Sequence, residues 1–375
     1  MPILAVLVAA QFAGTSPWFA ANAVLPQLIA DNSVTVAGVT SAVQAGFVLG
    51  TLLIAATGLA DRVQARWLFL FACLGVAVAN GLPLLAPGSG MTVLASRALV
   101  GLALAGVYPI GMKLAATLIP ERLGSALGWL VGALVLGTAS GHLLRALGDG
   151  VSASVVLGVT SGAAVLGGVA VWTLLPAETK PVSVRPFRPG DFLQLWKIAR
   201  FRRAALGYFG HMWEMYTLWA LAPLIVAARF SGTSVSLGAG LFIALGSVGC
   251  VVGGLAAQRI SSLRVARIAL FGGLLCGMAT PWMWHAPQAM WLAWLGAWGV
   301  FVAADSPQLS TLTARSAPPE LLGSGLAMTT SIGFALTVVS VTVAQQFATT
   351  STALVVLCLG PSVGLLALGR QRSAT

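Results

Sequence analysis

Three ionisable side chains stand where long apolar runs should exclude them: Arg97, Glu214 and Asp305. Glu214 lies inside GHMWEMYTLWALAPL, residues 210 to 224, together with His211 and Met215. An ionised carboxylate at the centre of a membrane helix costs at least about 2.5–3.5 kcal/mol. The chemistry such a group offers is proton exchange, because it can surrender its charge as its surroundings alternate. A static, paired polar network is the competing reading. Tyr208, His211, Met215 and Leu218 follow helical spacing, and Glu214 is the i+3 neighbour of His211, which predicts one polar-aromatic face. Gln11, Thr15, Trp18 and Asn22 repeat that pattern near the start of the chain, with Pro17 placed to kink the helix. These faces suit a small organic solute, and for the uncharged members hydrogen bonding between helices competes with solute contact.

The elements that must position these residues follow from composition. Of 375 residues, 58% are hydrophobic and only 8% charged. A soluble chain carries roughly a quarter charged residues, so the solvent of this one is mostly lipid. Twelve apolar runs are predicted as membrane helices: 4–30, 34–59, 67–86, 91–112, 123–144, 151–175, 204–228, 233–257, 268–284, 289–312, 321–344 and 350–369. The first run is too long for a signal-peptide core and reads as span one. Although the net charge is +11, 17 of the 20 basic residues fall on one side of such a bundle. Retention of Lys and Arg in the cytoplasm explains this and puts both termini there; nucleic-acid binding is not implied. At a rise of about 1.5 Å per residue, Glu214 and Asp305 lie roughly 15–17 Å from the cytoplasmic edge, and Arg97 roughly 24 Å.

The chain reads as built twice. Pro109 matches Pro307 at an offset of 198, and Pro120, Glu121, Gly124 and Ser125 match Pro319, Glu320, Gly323 and Ser324 at 199. TGLADR (57–62) answers GGLAAQR (253–259). The predicted organisation is a six-helix bundle at 1–175, a basic linker at 176–203 and a second six-helix bundle at 204–375. Parallel repeats of this kind place a solute path between the halves.

Between spans two and three, GLADRVQAR (58–66) resembles the loop signature G-x-x-x-D-R-x-G-R of the major facilitator superfamily, with Ala65 or Gln64 in place of the second Gly. ASRALVGLALAG (95–106) resembles the Arg and Gly-rich face of that family's span four. The resemblance covers the whole chain. It implies an all-α membrane protein of twelve helices, with spans one, four, seven and ten around a central cavity and alternating access to it. It also implies that Gly58, Asp61, Arg62 and Arg66 latch one state. Gly58 is expected to permit close helix approach, and Asp61 to accept from a helix N-terminus. On this reading Glu214 is the principal proton carrier and Asp305 a second carrier or solute contact. Arg97 is a counter-charge or anion contact, and Trp18, Asn22, Gln11, Tyr208, His211 and Met215 meet the solute.

The expected function is proton-coupled secondary transport of a small solute by a monomer in a bacterial-type inner membrane. No cofactor is expected; the proton gradient supplies energy. An enzyme is not expected, since the loops hold no nucleophile–base pair, metal cluster or phosphate-cradling loop. The alternative is a copper-type metal transporter using His211 and Met215, one helical turn apart. Other residues read as structural. Cys73, Cys250, Cys276 and Cys358 lack metal-ligand spacing. Trp282, Trp284, Trp291 and Trp294 are expected in an outer interfacial belt, Trp67 and Trp196 at the inner face, and His142 and His285 near the outer surface. Gly124, Gly128, Gly132, Gly137 and Gly141 are expected to let span five approach its neighbours closely.

Overall fold

The computed structural model describes residues 2–29, 33–148, 151–177, 189–318, 321–347 and 351–369. The basic residues Lys180, Arg185 and Arg188 of the linker, with Pro319, Glu320, Arg370 and Arg372, lie outside them, as do the side chains of Asp61, Arg122 and Ser324. Every predicted span is helical. Among the described residues nine helical spans are long and apolar enough to cross a membrane by themselves. The remaining three have visible reasons for falling short. Span seven, Ala199–Ala227, is diluted by Arg202, Arg203, His211 and Glu214. Span nine opens on Arg264 and Arg267, and span twelve is described as a shorter apolar helix, Leu354–Gly369.

Helix starts are set by local chemistry. Thr35, Ser89, Ser152 and Ser261 each accept a hydrogen bond from the backbone N–H three residues on, opening spans two, four, six and nine. Spans one, four and ten also break in mid-course. Span one stops at Thr15 and resumes at Ala20, span four stops at Leu104 and resumes at Tyr108, and span ten stops at Ala304 and resumes at Ser306. Pro109 and Pro307 occupy the first turns after the breaks in four and ten, where a missing N–H costs nothing. The duplication thus extends to backbone geometry. Pro83 and Pro281, also 198 apart, likewise open the terminal segments of spans three and nine.

Packing within each half uses glycine in matching places. A Cβ on Gly101 would stand 1.9 Å from the Val43 carbonyl oxygen, locking span four on span two. Its repeat partner Gly299 would stand 2.6 Å from that of Phe242, locking span ten on span eight. Between the halves, span five packs along span eight and span two along span eleven. Gly128 faces Gly254 across the first seam, and Phe47 meets Phe334 across the second with ring centroids 4.3 Å apart.

Several expectations are corrected. The span-five glycines divide: Gly128 and Gly132 face span eight, Gly137 and Gly141 face span one, and Gly124 has nothing near its missing Cβ. Gly58 has only Arg62 within 4 Å, so its role is conformational rather than close approach. Its φ of 62° ends span two in the left-handed region. His142 is buried, because the same end of span five packs with Leu143 over Gly240 of span eight. Trp291 and Trp294 are buried too: Arg229 lies over the Trp291 ring, and Trp294 Nε1 donates to the Cys276 carbonyl at 2.8 Å. Trp282 and His285 are exposed, as a belt requires.

Candidate functional site

The breaks in spans four and ten bring their second segments to the seam between the halves, where a small cavity lies. Its volume is about 10 Å³, room for about one water. Tyr108, Tyr208, Tyr216, Met212, Met215 and Phe334 supply most of its wall, completed by Ser306 and by the aliphatic side chains of span five. Above Tyr216 and Phe334, the Trp18 ring stacks on both at 5.7 Å and meets Phe47 at 5.2 Å. Trp18, Phe47, Tyr216 and Phe334 come from spans one, two, seven and eleven, so this aromatic plug spans both halves. The conformation is therefore closed around a nearly collapsed centre.

Span seven presents two different faces. Tyr208, Met212, Met215 and Tyr216 line the cavity. His211 and Glu214 point into the second bundle. The His211 Nδ1 lies 2.8 Å from Asp305 Oδ1, at the residue where span ten breaks. Glu214 Oε1 accepts from Trp298 Nε1 at 2.7 Å, and both its oxygens lie where a Cβ on Gly273 would be 3.0 Å away. The expected single face carrying Tyr208, His211, Glu214 and Met215 is thus corrected to a cavity-lining side and an ionisable side. A helix advances about 100° per residue, and Glu214 sits roughly opposite Met212 and Tyr216. All three ionisable groups are at least nine-tenths buried.

Arg97 is elsewhere. Fully buried in the first bundle, it donates from Nη1 to the Pro17 carbonyl at 3.1 Å and from Nη2 to Asn80 Oδ1 at 2.8 Å and Ser96 Oγ at 3.0 Å. Asn80 in turn donates to the Leu157 carbonyl, Thr160 Oγ1 and Ser161 Oγ. The Pro17 carbonyl, at the break in span one, thus accepts from a cation as well as from the Ala20 N–H at 3.3 Å. The structure does not bring Arg97 to Glu214 or Asp305.

The remaining expected solute contacts are spread out. Asn22 Nδ2 donates to Thr40 Oγ1 at 2.8 Å. Gln11 is buried against the bare Gly111, and neither atom of its amide has a partner among the described residues. Thr15 Oγ1 donates to the Gln11 carbonyl at 2.7 Å. At the loop between spans two and three, Arg62 is exposed and Arg66 Nε donates to Gln64 Oε1 at 3.2 Å. Lys113 Nζ donates to the Ala60 carbonyl there, tying span four to the loop.

Residue pattern alone missed Tyr108, Tyr216, Met212, Phe334, Trp298 and Asn80. One signal was available: the chain has only three tyrosines, and all three line this cavity. The metal reading gains no support. Among the described residues no three His, Cys, Asp or Glu side chains could hold a metal, and His211 faces Asp305.

Comparison with known proteins agrees with this architecture. The model of the Major Facilitator Superfamily matches residues 7–342. No curated protein matches the chain. Among solved structures, the chain is similar to the crystal structure of a Major Facilitator Superfamily transporter, FucP, in the outward conformation. The TM-score is 0.69 at 14% identity, over 99% of this chain and 99% of that one. The chain belongs to the Major Facilitator Superfamily, whose members are transporters, and its fold is that of a secondary transporter with alternating access.

Proposed function

We propose that the protein couples movement of a small solute to movement of protons, with Asp305 and His211 as the proton-exchanging pair and Glu214 as the carrier behind them. The single observation that supports this is the 2.8 Å approach of His211 Nδ1 to Asp305 Oδ1 at a helix break beside the cavity. The pair lies deep in the bundle, and no Lys or Arg within 4 Å neutralises Asp305 among the described residues. The contact is one of proximity, since neither atom makes a hydrogen bond among the described residues, and no fixed cation holds the carboxyl's charge. Asp305 is one residue from Ser306 in the cavity wall, and Glu214 is one residue from Met215. Proton occupancy is thereby linked to the segments that must move when the centre opens.

In this reading the moving bodies are residues 1–175 and 204–375, joined by the basic linker at the cytoplasmic surface of a bacterial-type inner membrane. Trp18, Phe47, Tyr216 and Phe334 form the barrier on the outer side. The Gly58–Arg66 loop serves as the latch on the inner side. Arg97 holds the break in span one instead of meeting the solute. The test is transport in liposomes with an imposed pH gradient, using solutes first selected by thermal shift from amino acids, organic ions and drugs. Asp305→Asn and Glu214→Gln are expected to leave a folded protein that no longer responds to the gradient. Unchanged gradient-driven uptake in both variants overturns the proposal.

A further inference from the structure

The chemistry of the cavity wall narrows the solute further than the fold does. Four aromatic side chains converge there: Tyr108 from span four, Tyr208 and Tyr216 from span seven, and Phe334 from span eleven. The rings of Tyr216 and Phe334 are 5.0 Å apart between centroids. Met212 and Met215 add two polarizable sulfurs. Tyr108 and Tyr208 border the same space, where an aromatic ring can offer its face to a solute.

Charge is distributed around this wall on one side only. No Arg, Lys, Asp, Glu or His belongs to the wall among the described residues. Directly behind it on the second bundle stand Asp305, paired with His211, and Glu214. The buried cation of the spans, Arg97, is held by Pro17, Asn80 and Ser96 within the first bundle. An anion entering the cavity would meet no fixed positive charge and would approach two carboxyl groups. A cation would meet the negative faces of aromatic rings and soft sulfur, with carboxyl groups beyond.

We propose that the central cavity binds a small organic cation, an ammonium centre carried on an apolar body. The assignment rests on the transport reading above but not on proton coupling. In the closed state the space holds about one water, so binding must be read on protein free to open.

The test uses the full chain in lipid nanodiscs, at one pH and without a gradient, by isothermal titration calorimetry. Three one-ring probes are compared: phenyltrimethylammonium, benzamide and benzenesulfonate, each corrected against empty nanodiscs. The cation is expected to bind at least about tenfold tighter than either of the others. Tyr208→Phe, which keeps the ring, is expected to retain that affinity within about threefold, whereas Tyr208→Leu loses about fivefold or more. Equal or tighter binding of benzenesulfonate or benzamide overturns the assignment. So does absence of a signal from the cation in protein that elutes as a folded monodisperse peak. Binding without gradient-driven movement would leave this assignment standing and remove proton coupling. Gradient-driven movement of an anion would do the reverse.

Discussion

The two halves of the chain carry matching prolines and glycines yet treat buried charge in opposite ways. In the first, Arg97 is surrounded by neutral acceptors: a main-chain carbonyl, an amide and a hydroxyl. Asn80 extends that network to span six through three further hydrogen bonds. In the second, among the described residues, Glu214 has one donor, Trp298, and Asp305 faces a single imidazole. A buried polar network whose members are satisfied rigidifies its surroundings. One with spare acceptor capacity can take up a proton or exchange partners. The difference teaches that charge inside a membrane protein is not by itself a sign of transport chemistry; the number and kind of its partners decide.

This comparison can be broken by substitution. The largest expected effect is loss of gradient-driven transport in Asp305→Asn, at near-normal yield, measured as solute uptake against an imposed pH difference. Arg97→Met should do the opposite. It strips the donor from Asn80 Oδ1, while the Pro17 carbonyl keeps the Ala20 N–H at 3.3 Å, and a buried acceptor left unpaired costs about 1–3 kcal/mol. The expected result is a loss of about 1–3 kcal/mol, seen as poor accumulation and a lowered thermal transition. If Arg97→Met folds normally and only coupling fails, the assignment of a static first bundle is wrong.

The repeat itself supplies the next contrast. Gly101→Val and Gly299→Val insert side chains against carbonyl oxygens at matching seams, where even a Cβ would come within 1.9 Å and 2.6 Å. Overpacking of this kind costs about 1–3 kcal/mol or more. The tighter Gly101 seam should show the larger fall in thermal stability, with Gly124→Ala as a near-silent control. Trp298→Phe removes the donor to Glu214 and leaves a buried acceptor unpaired. A decline of about 1–3 kcal/mol in stability is expected. It should come with a shifted pH profile of transport that a purely structural tryptophan would not produce.

Much of this architecture was legible in the residues. All twelve spans appear as helices where apolar runs predicted them, and the break at Pro17 lies where a kink was read. Pro109 and Pro307, read only as repeat partners, turn out to stand in the first turns after the breaks in spans four and ten. Asp305 stands at the second of these, so its prominence in the sequence was a guide to geometry. Arg97, equally prominent, was not: its partners Pro17, Asn80 and Ser96 lie on three spans, and no spacing along one helix predicts that meeting.

What the order of residues fixed alone was the solvent, the number of crossings, the duplication and the kink at Pro17. Each depends on runs of apolarity or on proline, which act locally. Which side of each helix meets which neighbour was decided only by the packed chain. In water a polar face marks the outside of a helix, but in lipid both the outside and the core are apolar. The alternation that orients a soluble helix is therefore largely missing. That is why Glu214 turns toward Gly273 and Trp298, leaving Tyr208, Met212, Met215 and Tyr216 to line the cavity.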